Sequence, residues 1–317
     1  MSSKVLTEQA HGQLAFVFTG QGSQYVGMGR DLLDKYMTAR HLFEQAEAVL
    51  GFPLSRLCLE GPEDELTDTV NAQPAILTTS AALLATLRET MGAAWVPTFV
   101  AGHSLGEYTA LLAAGVLDFS SVLRLVRERG RVMKEAGEKE PGAMAAVLGL
   151  EAAPLQAICD EVGEVWLAND NSPRQIVLSG KKHALHRALQ LATERGAKKT
   201  IPLAVSIAAH TPLMGRAAES FAQTVAKLPL ARASVPIVAN VTASAIVEPA
   251  DIHLELVQQL TSMVRWVESV RHMISHGIQT FVEIGPQDIL SRLINRIDRC
   301  VQTWSVVSAK DIEALKV

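Results

Sequence analysis

Cysteine is scarce in this chain of 317 residues: Cys58, Cys159 and Cys300 are odd in number, far apart and without metal-ligand spacing. That pattern excludes a disulfide framework and points to reduced thiols in a cytoplasmic protein. An excess of positive charge is also missing. The formal net charge is −4, which argues against a general nucleic-acid binder. No apolar run approaches the roughly 18–20 residues of a membrane span. The first thirteen residues are polar, read as a loose tail with no apolar signal core. Internal repeats and low-complexity segments are absent. Hydrophobic residues make up 48% and charged residues 20%, the balance of a globular protein with a substantial core. The length suits one large domain, or a core with an inserted subdomain.

Chemistry first appears at Ala101–Gly115, AGHSLGEYTALLAAG. The short apolar VPTFVAG reads as an interior parallel strand. LGEYTALLAAG has helical spacing, with Leu105, Thr109, Leu112 and Val116 every three to four residues. Between them lies G-x-S-x-G: Gly102, Ser104 and Gly106. A serine at such a strand-to-helix corner projects its hydroxyl at the carboxyl end of a sheet, beside the next backbone N–H. Ser104 is therefore a candidate nucleophile. His103 is adjacent in sequence, but on a strand end its side chain should point to the other side.

The remaining elements follow from periodicity and turn residues. LAFVF, Leu14 to Phe18, reads as a buried strand and TGQGSQ as the loop after it. That loop lacks the G-K-[ST] ending of a phosphate loop, so its glycines are read as presenting backbone N–H groups. Residues 28–50 and 72–91 read as helices around a polar turn region, the second opening at Gln73-Pro74. Asp118 and Ser120 are candidate caps for a helix whose arginines and lysines form a solvated face, Arg129 excepted. From residue 138 to 205 the order strand, helix, strand, strand, helix, strand is ferredoxin-like. VPIVAN then reads as a strand, residues 252–277 as one helical run, Thr280 to Pro286 as a strand and turn, 289–299 as a basic helix, and TWSVV as a final edge strand.

The strings GQGSQ (residues 20–24) and GHSLGEY (102–108), the Arg129-Gly130 pair, His210 in S-x-x-x-H-x-x-x-M, QLTSMVRW (259–266) and FVEIGP (281–286) occur in this order. Together they resemble the malonyl-CoA:acyl-carrier-protein transacylases and related polyketide acyltransferases, over about residues 14–306. The resemblance implies an α/β-hydrolase-like core, residues 1–137 and 206–317, with a mainly parallel sheet and a ferredoxin-like insert at 138–205. It implies Ser104 as nucleophile and His210 as general base. The backbone N–H groups of Gln21 and Leu105 would hold the oxyanion, Arg129 the malonyl carboxylate, and the carbonyl of Gln259 would orient His210. A guanidinium fork suits a planar carboxylate better than an ammonium does. The implied reaction is ping-pong malonyl transfer from malonyl-CoA to the phosphopantetheine thiol of an acyl carrier protein. It uses no metal or other cofactor, and the enzyme would be a cytoplasmic monomer that binds neither nucleic acid nor membrane.

Three places depart from the family pattern: Thr19 and Met263 stand where proline is usual, and Gln287-Asp288 replace a glycine and a following polar residue. They lean toward polyketide over fatty-acid service. Ala208 and Ala209 leave the expected acyl pocket unfilled beside His210. Lys181, Lys182, Arg187 and Lys198 are candidate docking cations for an acidic carrier. The alternative readings are an acyl-thioester hydrolase with the same Ser/His pair, which the presence of Arg129 argues against, and a catalytically idle docking protein.

Overall fold

The computed structural model describes residues 13–92 and 95–315. The expected tail, up to residue 12, lies outside them. Among the described residues, ten strands form two sheets: β1 (Leu14–Phe18), β2 (Phe99–Gly102), β3 (Gly142–Leu148), β4 (Val165–Ser172), β5 (Gln175–Lys181), β6 (Lys199–Pro202), β7 (Ile237–Val238), β8 (Ala245–Ile246), β9 (Thr280–Ile284) and β10 (Gln302–Val306). The larger sheet has the order β10-β9-β1-β2-β7-β8 and is parallel apart from β8. β1 is central and buried along its whole length, as a strand covered on both faces must be. Its even and odd side chains enter different cores, Phe16 and Phe18 on one face, Ala15 and Val17 on the other.

The smaller sheet is antiparallel, β4-β5-β3-β6. With helices Ala152–Val162 and Lys182–Glu194 it forms the expected βαββαβ unit. The two-residue side-chain period sorts β5 cleanly: Ile176 and Leu178 pack under the helices, while Val177 faces the main core and the cleft between the sheets.

The run 28–50 divides at Tyr36 into helices Arg30–Lys35 and Met37–Leu50, and two further helix boundaries differ from expectation for nonlocal reasons. The second long helix starts at Thr69, not at Gln73-Pro74, and runs to Met91 with Asp68 as its N-cap. The polar turn region before it contains two short helices, Leu54–Glu60 and Glu63–Thr67. Pro74 inside the long helix removes the donor that would reach the Val70 carbonyl. Arg127 Nη1 takes that carbonyl instead, at 2.7 Å. The run 252–277 is broken: Pro249–Gln258 ends in a 3₁₀ turn, Gln259–Thr261, and the chain restarts at Trp266. Between them Val264 bridges to Asn169 of β4, which ties this segment to the smaller sheet. In helix Phe119–Lys139, Asp118 caps by accepting from Ser121 N at 2.8 Å, while Ser120 does not cap. No described helix is long and apolar enough to cross a membrane.

Candidate active site

The carboxyl ends of β1 and β2 meet below a cleft of about 350 Å³ lined by both sheets. The turn after β2 is tight enough to require its glycines: a Cβ at Gly102 would overlap the Gly106 carbonyl, and one at Gly106 would overlap the Phe18 carbonyl at the end of β1. This packing brings the loop of Gly20 and Gln21 against the serine corner. Ser104 has φ 52°, a left-handed conformation that costs about 1–3 kcal/mol in a non-glycine residue unless its surroundings enforce it. Asn240, buried at the end of β7, enforces it. Its Oδ1 accepts from Ser104 N at 2.7 Å, and its Nδ2 donates to Gly102 O at 2.7 Å. Because Ser104 N–H is engaged there, the N–H of Leu105 is the next one available. Among the described residues neither Leu105 N nor Gln21 N donates to a protein acceptor.

His210, also at positive φ (63°), places Nε2 2.8 Å from Ser104 Oγ. Its Nδ1 faces two carbonyls, Gln259 O at 2.9 Å and Ser262 O at 3.2 Å. Carbonyls only accept, so Nδ1 carries the proton and Nε2 is free to accept the serine proton. Breaking the helix at 259–265 is what turns these two carbonyls toward the ring. Burial, then the charge of Arg129, push His210 down to about 3, so the imidazole is neutral across the physiological range. His103 lines the same cleft but is engaged elsewhere: Nε2 pairs with Asn171 Oδ1 at 2.7 Å, and its ring packs edge-on to Trp266.

Arg129 is 1% exposed. Nη1 donates to Gln73 Oε1 at 3.0 Å, and Nη2 to Ser104 Oγ and Gln259 Oε1, both at 3.1 Å. Its Cζ lies 5.3 Å from the Tyr108 ring centre, and Nε has no partner. Among the described residues no carboxylate pairs with it. Glu107 lies nearby, but burial and Glu255 push its carboxyl well above the usual range, toward the neutral form. Glu107 accepts from Asn240 N at 2.9 Å and from Gln259 Nε2. A buried guanidinium without a counter-ion is costly, and an anion brought to it would offset that cost.

The structure thus gathers Ser104, His210, Arg129, Gln259 and the Gln21 and Leu105 backbones in one place. Sequence reasoning missed Asn240, Gln73, the side chain of Gln259 and the second carbonyl at Ser262. The available signal was polarity in apolar surroundings: Asn240 closes VPIVAN, and Gln73 precedes PAIL. The four candidate docking cations are not at the cleft. Lys182 and Arg187 stand on the helix covering the far face of the smaller sheet, and Lys181 pairs with Glu164. Arg296, on helix Ile289–Ile297, donates to Gln175, a residue that lines the cleft.

Comparison with known proteins gives consistent results. The family described as acyl transferase domain matches residues 15–309. A Bacillus subtilis malonyl CoA-acyl carrier protein transacylase is 45% identical over 305 residues, 95% of each chain. The crystal structure of an acyl carrier protein S-malonyltransferase from Vibrio cholerae superposes with a TM-score of 0.93 at 38% identity, covering 96% of this chain and 100% of that one. A malonyl-transacylase solved in complex with its type II PKS acyl-carrier protein has a TM-score of 0.93 at 37% identity, covering 96% and 99%.

Proposed function

This chain belongs to the acyl transferase domain family, and on that premise we propose how its residues carry malonyl from malonyl-CoA to an acyl carrier protein. The observation that carries the reading is Ser104 Oγ, 2.8 Å from a neutral His210 Nε2 and 3.1 Å from a buried guanidinium with no carboxylate partner among the described residues.

Ser104 Oγ attacks the thioester carbonyl carbon while its proton passes to His210 Nε2. The oxyanion is received by the N–H groups of Gln21 and Leu105, a contribution of roughly 3–4 kcal/mol per donor in sites of this kind. The C–S bond then breaks. The CoA sulfur leaves with the His210 proton, and malonyl remains as an ester on Ser104. The carrier thiol repeats the sequence in reverse: His210 takes its proton, sulfur attacks the ester, and Ser104 Oγ leaves with the proton. The steps balance without an added cofactor.

Arg129 serves twice in this scheme. Its fork binds the malonyl carboxylate in a buried setting. The bound carboxylate also offsets the positive charge that helps depress His210, making the base stronger when the correct acyl group is present. A hydrolase of uncarboxylated acyl groups would have no need of this anion site. For the carrier, Arg296 and the helix that bears it are the proposed contact beside the cleft. The proposal extends to a monomer in a reducing compartment, the cytoplasm, which the free Cys58, Cys159 and Cys300 support. The test is the fate of the malonyl group with holo and apo carrier, followed by mass spectrometry. Malonylated holo carrier alone is expected. Release of free malonate at one rate, whichever carrier is present, would identify a hydrolase instead.

A further inference from the structure

Arg129 is linked to the loop after β1 by side chains that the reaction steps above leave unused. Arg129 Nη1 donates to Gln73 Oε1 at 3.0 Å, Gln73 Nε2 donates to Thr69 Oγ1 at 3.0 Å, and the Thr69 hydroxyl donates to Gln21 Oε1 at 3.1 Å. All three bonds run in one sense, from the guanidinium to the residue whose backbone N–H faces the oxyanion. Gln73 is fully buried, so water cannot replace it in the chain.

The middle of this chain is rigidly held. A Cβ at Gly130 would lie 2.7 Å from Thr69 O and 2.9 Å from Val70 Cα, so the glycine after Arg129 is what lets the two helices approach so closely. Arg127 Nη1 holds Val70 O at 2.7 Å and Asn71 Oδ1 at 2.6 Å, and Lys134 pairs with Asp68. The two ends differ: the guanidinium is buried and also bonded to Ser104 and Gln259, whereas Gln21 stands in the loop after β1.

We propose that Thr69 is a positioning residue, acting through Gln21 to align its backbone N–H with the oxyanion and tying that alignment to Arg129 through Gln73. This rests on the acyl-transfer reading. Side-chain anchoring restricts the Gln21 backbone, and a donor that wanders by a fraction of an ångström loses most in the transition state, where the oxyanion forms. Loss of the relay therefore lowers the acylation rate at saturation more than it weakens malonyl-CoA binding.

The experiment compares the full-length wild type with Thr69→Val, which removes the hydroxyl but keeps the shape, and with Thr69→Ser, which keeps the hydroxyl. Rapid-quench acylation by malonyl-CoA is measured together with thermal unfolding. The expected result is about a tenfold lower saturating rate in Thr69→Val, the scale of one lost hydrogen bond, with half-saturation within about threefold and Thr69→Ser within about twofold of wild type. Gln21→Met breaks the same chain from the solvent side, keeps the backbone N–H, and should give the same loss even if Thr69→Val unfolds. Wild-type rates in Gln21→Met or in a folded Thr69→Val, or equal losses in the Val and Ser variants, would overturn the relay. Failure of the wild type to form any malonyl adduct would instead overturn the acyl-transfer reading beneath it.

Discussion

Replacing Arg129 by methionine tests the anion site with little change of volume. Arg129 is buried, donates three hydrogen bonds and has no carboxylate partner among the described residues. Removing one partner of a buried, hydrogen-bonded charge pair costs roughly 2–5 kcal/mol. At 1.4 kcal/mol per decade this is a loss of about 30- to 4,000-fold in kcat/KM for malonyl-CoA. Arg129 Nη2 also touches Ser104 Oγ, so some loss has nothing to do with the carboxylate. That share falls equally on acetyl-CoA and cancels in the ratio of the two substrates. In the variant the base is also relieved of a nearby positive charge, the second cause of the low His210 value, which favours acetyl transfer. The assay is acyl-enzyme formation from each thioester by rapid quench. The malonyl-to-acetyl ratio should fall by at least about 30-fold. A ratio that moves less than threefold would mean that Arg129 serves only Ser104. Methionine removes an uncompensated buried charge but leaves Gln73 Oε1 and Gln259 Oε1 without a donor, so the two effects on stability oppose each other.

Two further outcomes follow from the same geometry. His210 is held at about 3 when folded against the ordinary 6.5, so the unfolded chain binds its proton first as pH falls. Stability from this group is intact above 6.5 and is lost below it, by about 2 kcal/mol at pH 5. Denaturation of wild type and His210→Asn at pH 7 and 5 should show that difference, and parallel curves would contradict the assignment. Asn240→Ala removes both bonds that hold the serine corner, leaving Ser104 N and Gly102 O unpaired at about 1–3 kcal/mol each. Acylation should fall at least tenfold in a folded, less stable protein, and an active, equally stable variant would show that Asn240 is not the clamp.

What could be read without coordinates was local. The Ser104 corner announces itself because a strained turn between a strand and a helix needs Gly102 and Gly106 within five residues. The βαββαβ unit was legible because each of its elements carries its own period. What escaped depends on distant partners. Pro74 looked like a helix start because the residue that takes its freed carbonyl, Arg127, is 57 positions from Val70. The run 252–277 looked continuous because the bridge that breaks it, Val264 to Asn169, reaches a strand of the smaller sheet 95 positions away. Asn240 and Gln73 are single polar residues in apolar stretches, and only burial reveals that their amides are engaged. The candidate carrier-docking cations Lys181, Lys182, Arg187 and Lys198 rest on charge alone, and periodicity does not tell which of them line the cleft; none does.

The claim on which all else depends is that Ser104 carries the acyl group. Intact-protein mass spectrometry after brief mixing with malonyl-CoA, followed by peptide mapping, tests it directly. The account predicts a single malonyl adduct confined to the peptide containing Ser104, absent in Ser104→Ala and discharged on adding holo carrier. Malonylated carrier formed at the wild-type rate by Ser104→Ala, or an adduct mapped to another residue, would contradict it.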